Sequence, residues 1–168
     1  MKPKNKDIKN GDGSPADGPR PYVLLGIGNR LRGDDGAGGV LAERFSAPGW
    51  VSMDCGSMPE NFTGPVRKIN PRFLVIVDAC DMELAPGEFR RLDPAGIERH
   101  QGFNTHRPPM AMLLERLRES AGEIVWIGIQ PLSLEFGEGL SAPVEEAIGA
   151  LGKLLARDNW ESILPFHS

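Results

Sequence analysis

The sequence predicts an α/β fold, a three-layer α/β/α sandwich around a mostly parallel, five-stranded twisted sheet with one antiparallel edge strand. Three observations predict it. Short apolar runs recur along the chain, and three of the five are continuously apolar, as strands covered on both faces are. Amphipathic helical patterns alternate with them, an order that belongs to parallel sheets sandwiched by helices. One run follows its predecessor too closely for a crossover helix, so it pairs antiparallel at an edge.

The opening stretch, 1–20, carries a single Ile among Lys, Asn, Asp, Gly, Ser and Pro. It cannot offset the entropy of being ordered and reads as a disordered tail. The remaining residues, 21–168, are expected to form one domain around one core, a size at which roughly two-thirds of the unfolded surface is buried. Strands are predicted at Tyr22 to Ile27, Trp50 to Asp54, Phe73 to Ala79, Gly87 to Leu92 and Glu123 to Ile129, the fourth being the antiparallel edge. Helices are predicted at Ala37 to Phe45, Pro65 to Ile69, within RPPMAMLLERLRES, and at Val144 to Arg157. In the third, Met110, Leu113, Leu114 and Leu117 fall at helical spacing, and in the last Val144, Ala147, Ile148, Leu151 and Leu155 form one stripe.

The chain is 40% hydrophobic and a quarter charged, with a net charge of -4. This balance suits a soluble cytoplasmic protein and offers no basic excess for phosphates, which argues against nucleic acid and anionic membranes as partners. No window reaches the roughly 18 apolar residues of a membrane span. The two cysteines, Cys55 and Cys80, sit in apolar or small-residue contexts and read as buried free thiols.

The segment LLGIGNRLRGDDGAGG, Leu24 to Gly39, joins the first strand to the first helix. Its glycines do not complete a dinucleotide fingerprint: Gly26 and Gly28 fit, but Leu31 occupies the third position and two carboxylates stand where a pyrophosphate needs bare N–H groups. Asp34 and Asp35 are either helix caps or, at the carboxyl end of a central strand, functional acids. Asp78 raises the same alternatives at the end of FLVIVDAC, as a cap on the next turn or a second functional carboxylate. His106, in FNTHRPP at the start of the Leu-rich helix that Asn104 or Thr105 can cap, is either structural or a neutral imidazole able to ligate metal. His100 and His167 are weaker candidates, in a polar linker and a terminal stretch. Two carboxylates and one imidazole on three loops form an oxygen and nitrogen donor set that suits Zn²⁺ or Ni²⁺ and leaves positions open for substrate or water.

The segments GIGNRLRGDDGAGG, DCGSMPEN, VIVDACDMELAPGE, NTHRPPM and IGIQP, in this order, resemble the [NiFe]-hydrogenase maturation endopeptidases, above all the branch serving the hydrogenase-3 type large subunit. The resemblance spans about Tyr22 to Arg157. It implies a nickel-dependent endopeptidase that removes the C-terminal extension of the large-subunit precursor after nickel insertion. It also implies that Asp35, Asp78 and His106 are the metal ligands, the Ni²⁺ being carried by the precursor. Asp54 falls at a position associated with choosing the cognate precursor; it also fits a turn cap ahead of a Ser57 to Glu60 capping box. Gln130, with Pro131, matches a loop expected to line the same cleft. Glu83 departs from the pattern, standing where many members have glycine.

No Ser or Cys lies in a recognisable nucleophile elbow, so water is the expected nucleophile, with Asp35 or Asp78 as the carboxylate that activates it. The chain is expected to act in the cytoplasm as a monomer. An alternative is a nickel-checking chaperone of the large subunit that does not cleave; generic α/β architecture also accommodates a small-molecule hydrolase.

Overall fold

The computed structural model describes residues 20–93, 110–137 and 139–166. Apart from Arg20, the expected tail lies outside them, as do His100, Asn104, Thr105, His106 and His167. The strands are β1 (Tyr22–Gly26), β2 (Trp50–Asp54), β3 (Phe73–Ala79), β4 (Phe89–Leu92) and β5 (Glu123–Ile129). The helices are α1 (Ala37–Arg44), α2 (Thr63–Ile69), α3 (Met110–Arg118) and α4 (Ala142–Ala156). The sheet order is β2-β1-β3-β5-β4, parallel throughout except for β4, which pairs antiparallel with β5 at the edge.

The period of the strands sorts their side chains between two apolar layers. Leu24, Val75, Val77, Val125, Ile127 and Ile129 pack with Ala37 and Leu41 of α1 and with the stripe of α4. Val23, Leu25, Leu74, Ile76 and Trp126 pack on the other face with Val66 of α2 and with Leu113, Leu114 and Leu117 of α3. Both faces of the central strands are covered, which is why β1 and β3 are apolar without alternation. β4 begins two residues after the predicted start, because Gly87 takes a φ of 85° in the turn that precedes it. α4 begins two residues before its apolar stripe, with Pro143 in the first turn, where a missing N–H costs nothing.

At the amino ends of the strands, Tyr22 meets Trp50 and Phe73 edge-on, and Trp160 stacks on Phe73. The chain then returns to the β4 edge: Arg91 N–H donates to Leu164 O, Phe166 N–H to Arg91 O, and Arg91 Nε to Ile163 O. Among the described residues no helix is long and apolar enough to cross a membrane.

Candidate active site

Asp78 occupies the penultimate position of β3, in register with Gly128 of β5, and is only 4% exposed. It shares strand parity with Leu74 and Ile76, and so falls on the face against which α3 packs. On the neighbouring strand, the chain leaves β1 with Ile27 N–H donating to Val77 O at 2.8 Å and turns into a short 3₁₀ segment, Gly33–Gly36. Asp35 in that segment is likewise 4% exposed, and its Oδ2 accepts the Asn29 backbone N–H at 2.9 Å. Gly28 holds φ at 142° against this turn, and a Cβ there would lie 1.6 Å from Asp35 O. The first turn of α1 rests on the residue before Asp78: a Cβ on Gly38 would come within 2.3 Å of Val77 O. The two carboxylates are thus carried to the same sheet edge by adjacent parallel strands.

The tandem acids have different environments. Asp34 accepts four hydrogen bonds from the segment after β5: Leu132 N–H at 2.8 Å, Ser133 N–H at 3.2 Å, Ser141 N–H at 2.7 Å and Ser141 Oγ–H at 2.8 Å. It is a structural clamp. The capping alternative does not form, since the 3₁₀ segment starts from Arg32 and α1 from Gly36, neither with a side-chain cap. Ser141 stands at the N-cap of α4, but its hydroxyl bonds Asp34 and caps nothing. Further backbone bonds run from Gly33 N–H to Gly137 O and from Gly137 N–H to Leu31 O. Leu31 and the 86% exposed Phe136 flank this contact. A cleft of about 310 Å³ opens beside it, between Arg30, Leu31, Gly33 and Gly36 on one side and Gly139 and Leu140 on the other.

Asp54 ends β2 at the same edge. Its Oδ1 accepts Gly56 N–H at 3.0 Å in a local turn, and its Oδ2 accepts Arg30 Nη2 at 2.8 Å. The expected Ser57 to Glu60 capping box is absent, because the following 3₁₀ turn, Pro59–Phe62, starts from Met58 without a side-chain cap. Gln130 is buried just past β5. Its Oε1 accepts Met82 N–H at 2.6 Å and Leu84 N–H at 3.3 Å, while Nε2 donates to Asp81 Oδ1 at 3.1 Å. The amide therefore braces the loop that follows Asp78. Glu83 in that loop takes a φ of 57°, a left-handed backbone that favours glycine.

Among the described residues no group of three or more His, Cys, Asp or Glu is placed to hold a metal ion. Asp35 and Asp78 are the described members of the expected set. The third, His106, lies outside the described residues. Cys55 and Cys80 are buried free thiols. Burial, with the charge of Asp54 adding to it, pushes the Cys55 pKa up to about 12, so that thiol is no nucleophile at neutral pH. Sequence reasoning missed the clamp role of Asp34 and the contribution of Arg30. The only local signal was the doubling of the acid, more than one cap requires.

The hydrogenase maturation protease family matches this chain over residues 39–157. The hydrogenase 3 maturation protease of Escherichia coli K12 is 41% identical over 142 residues, covering 83% of this chain and 90% of the relative. A crystal structure of a hydrogenase 3 maturation protease superposes with a TM-score of 0.80 at 37% identity, covering 88% of this chain and 97% of the other. The [NiFe] hydrogenase maturation protease HycI from Thermococcus kodakarensis gives a TM-score of 0.73 at 33% identity, covering 85% of this chain and 94% of the other. The match over residues 39–157, the 41% identity over most of the chain and the shared fold place the chain in the hydrogenase maturation protease family.

Proposed function

We propose that this chain is an endopeptidase that removes the C-terminal extension of a [NiFe]-hydrogenase large-subunit precursor once nickel has been inserted, acting as a monomer in the cytoplasm. The observation that carries the reading is the burial of Asp35 and Asp78 at one edge of adjacent strands. Both carboxylates come at the carboxyl ends of adjacent parallel strands, the edge where open α/β sheets bind their ligands. Their oxygens, with the imidazole of His106, are a donor set suited to Ni²⁺ that arrives as cargo of the precursor. That cation supplies Lewis acidity at the scissile carbonyl.

The chain's own residues do the rest. Asp35, held by the Asn29 N–H, or Asp78, fixed at the end of β3, orients a water and accepts its proton as the oxygen adds to the carbonyl carbon. The C–N bond then breaks and the proton passes to the departing amine nitrogen. Asp54 at the rim selects the precursor, and Gln130 keeps the loop after Asp78 in place. The exposed side chains of Leu31 and Phe136 next to the cleft favour a protein substrate over a small molecule.

The test incubates the full chain with purified precursor, with and without nickel, and follows the precursor mass. A nickel-dependent loss of its C-terminal segment, abolished in a folded Asp78→Asn variant, is expected. Full trimming by Asp78→Asn overturns the site. Nickel-dependent binding without any mass loss replaces the peptidase with a chaperone that checks nickel.

A further inference from the structure

The dipeptide Asn29-Arg30 joins the two parts of the site. The Asn29 backbone N–H holds the Asp35 carboxylate at 2.9 Å, and the next side chain holds Asp54. Arg30 reaches three acceptors at once: Nη1 donates to Glu43 Oε2 at 2.6 Å, and Nη2 to Asp54 Oδ2 at 2.8 Å and to Gly39 O at 3.0 Å. Asp54 is pressed onto α1 at the same point, since a Cβ on Gly39 would lie 2.6 Å from Asp54 Oδ1. Both oxygens of Asp54 therefore have fixed directions, one set by Gly56 N–H and the other by Arg30.

We infer that Arg30 is a positioning residue for precursor selection: its guanidinium anchors Asp54 to α1 and offsets its charge, so that the precursor meets one fixed, partly neutralised carboxylate. The inference rests on the reading of Asp54 given under Proposed function. Stability alone does not account for the arrangement. The side chains of Arg30 and Asp54 are 39% and 35% exposed, and ion pairs in such settings contribute little to folding. What the fork does provide is geometry. A planar guanidinium can serve Glu43, Asp54 and the Gly39 carbonyl together, whereas the point charge of a lysine cannot reproduce that set of directions. Arg30 also lines the cleft beside the Asp34-Asp35 turn, so the residue that fixes Asp54 is itself within reach of a precursor segment lying there.

The test compares wild type, Arg30→Ala, Arg30→Lys, Asp54→Asn and the double variant Arg30→Ala/Asp54→Asn. Precursor trimming is followed by mass, and precursor binding by calorimetry with nickel-loaded precursor. Circular dichroism checks that each variant is folded. Arg30→Ala is expected to raise KM and the precursor Kd roughly tenfold while kcat moves less than about twofold, since a mispositioned contact acts on binding. Arg30→Lys should recover only part of this loss. The double variant should be no worse than Asp54→Asn, because both act through one carboxylate. Unchanged KM and Kd in Arg30→Ala, or fully additive losses in the double variant, overturn the inference. A wild type that binds nickel-loaded precursor without trimming it removes the peptidase reading alone, and the Kd comparison still decides the role of Arg30; a wild type that does not bind overturns both.

Discussion

Asp34 and Ser141, separated by 107 positions, are joined twice, the Ser141 N–H and hydroxyl both donating to the Asp34 carboxylate. With Leu132 and Ser133 added, one buried carboxylate ties together the two ends of the connection from β5 to α4. The neighbouring Asp35 instead faces the Asn29 N–H. One acid ties the loop between β5 and α4, and the other is held within the turn that follows β1.

Asp34→Ala should therefore act first on stability. Removing the carboxylate leaves three backbone N–H groups and a hydroxyl without their acceptor, a loss of about 2–4 kcal/mol. A thermal melt should show Tm lower by roughly 5–15 °C for a domain of this size. A Tm within a degree of wild type would show that the clamp is dispensable.

Gln130→Ala should loosen the loop after Asp78. The Met82 and Leu84 N–H groups lose their shared acceptor, costing about 1–3 kcal/mol in a urea titration. Precursor trimming should fall further than the folded fraction does, because the loop positions Asp78. Equal losses in both would make Gln130 a purely structural brace.

Glu83→Gly should do the opposite. A left-handed φ of 57° costs an L residue about 1–2 kcal/mol, and glycine gives back roughly half through its looser unfolded chain. A net gain of up to about 1 kcal/mol is expected, with trimming retained, while Glu83→Ala should gain nothing. Unfolding midpoints of the three proteins compare these directly.

The Cys55 thiol gives a pH dependence with a definite sign. Its folded pKa, pushed up to about 12 by burial and then by the Asp54 charge, lies above that of an unfolded cysteine near ~8.5. The folded state retains the proton longer, so the stability linked to this group is complete below about pH 8.5 and is lost as pH rises toward 12. Between about pH 8 and 10.5 wild type should lose about 2–3 kcal/mol more than Cys55→Ala. Parallel pH profiles for the two proteins would rule this out.

Much of the fold was legible in the sequence because strands and helices of this kind are encoded by local periodicity. The apolar run Phe73 to Ala79 specified a doubly covered strand, and the spacing of Leu113, Leu114 and Leu117 specified the face of α3. Asp35 and Asp78 were legible as acids following buried strands. The division of labour between Asp34 and Asp35 was not, because it depends on donors about a hundred residues away. The capping reading failed at Asp34 for a related reason. A side chain that fits a local cap is diverted when tertiary structure offers it other partners, as Ser141 is by Asp34. Arg30 carried no local signal, since an arginine in a polar loop looks the same whether it is solvated or anchors three acceptors.

The return of Ile163 to Phe166 along β4 gives the sheet unequal margins. On that side the Arg91 N–H and C=O already pair with Leu164 and Phe166, so a foreign strand meets an edge occupied at Arg91. Substitutions that lift Leu164 to Phe166 off β4 would uncover the Arg91 backbone and invite self-association while leaving Asp35 and Asp78 in place.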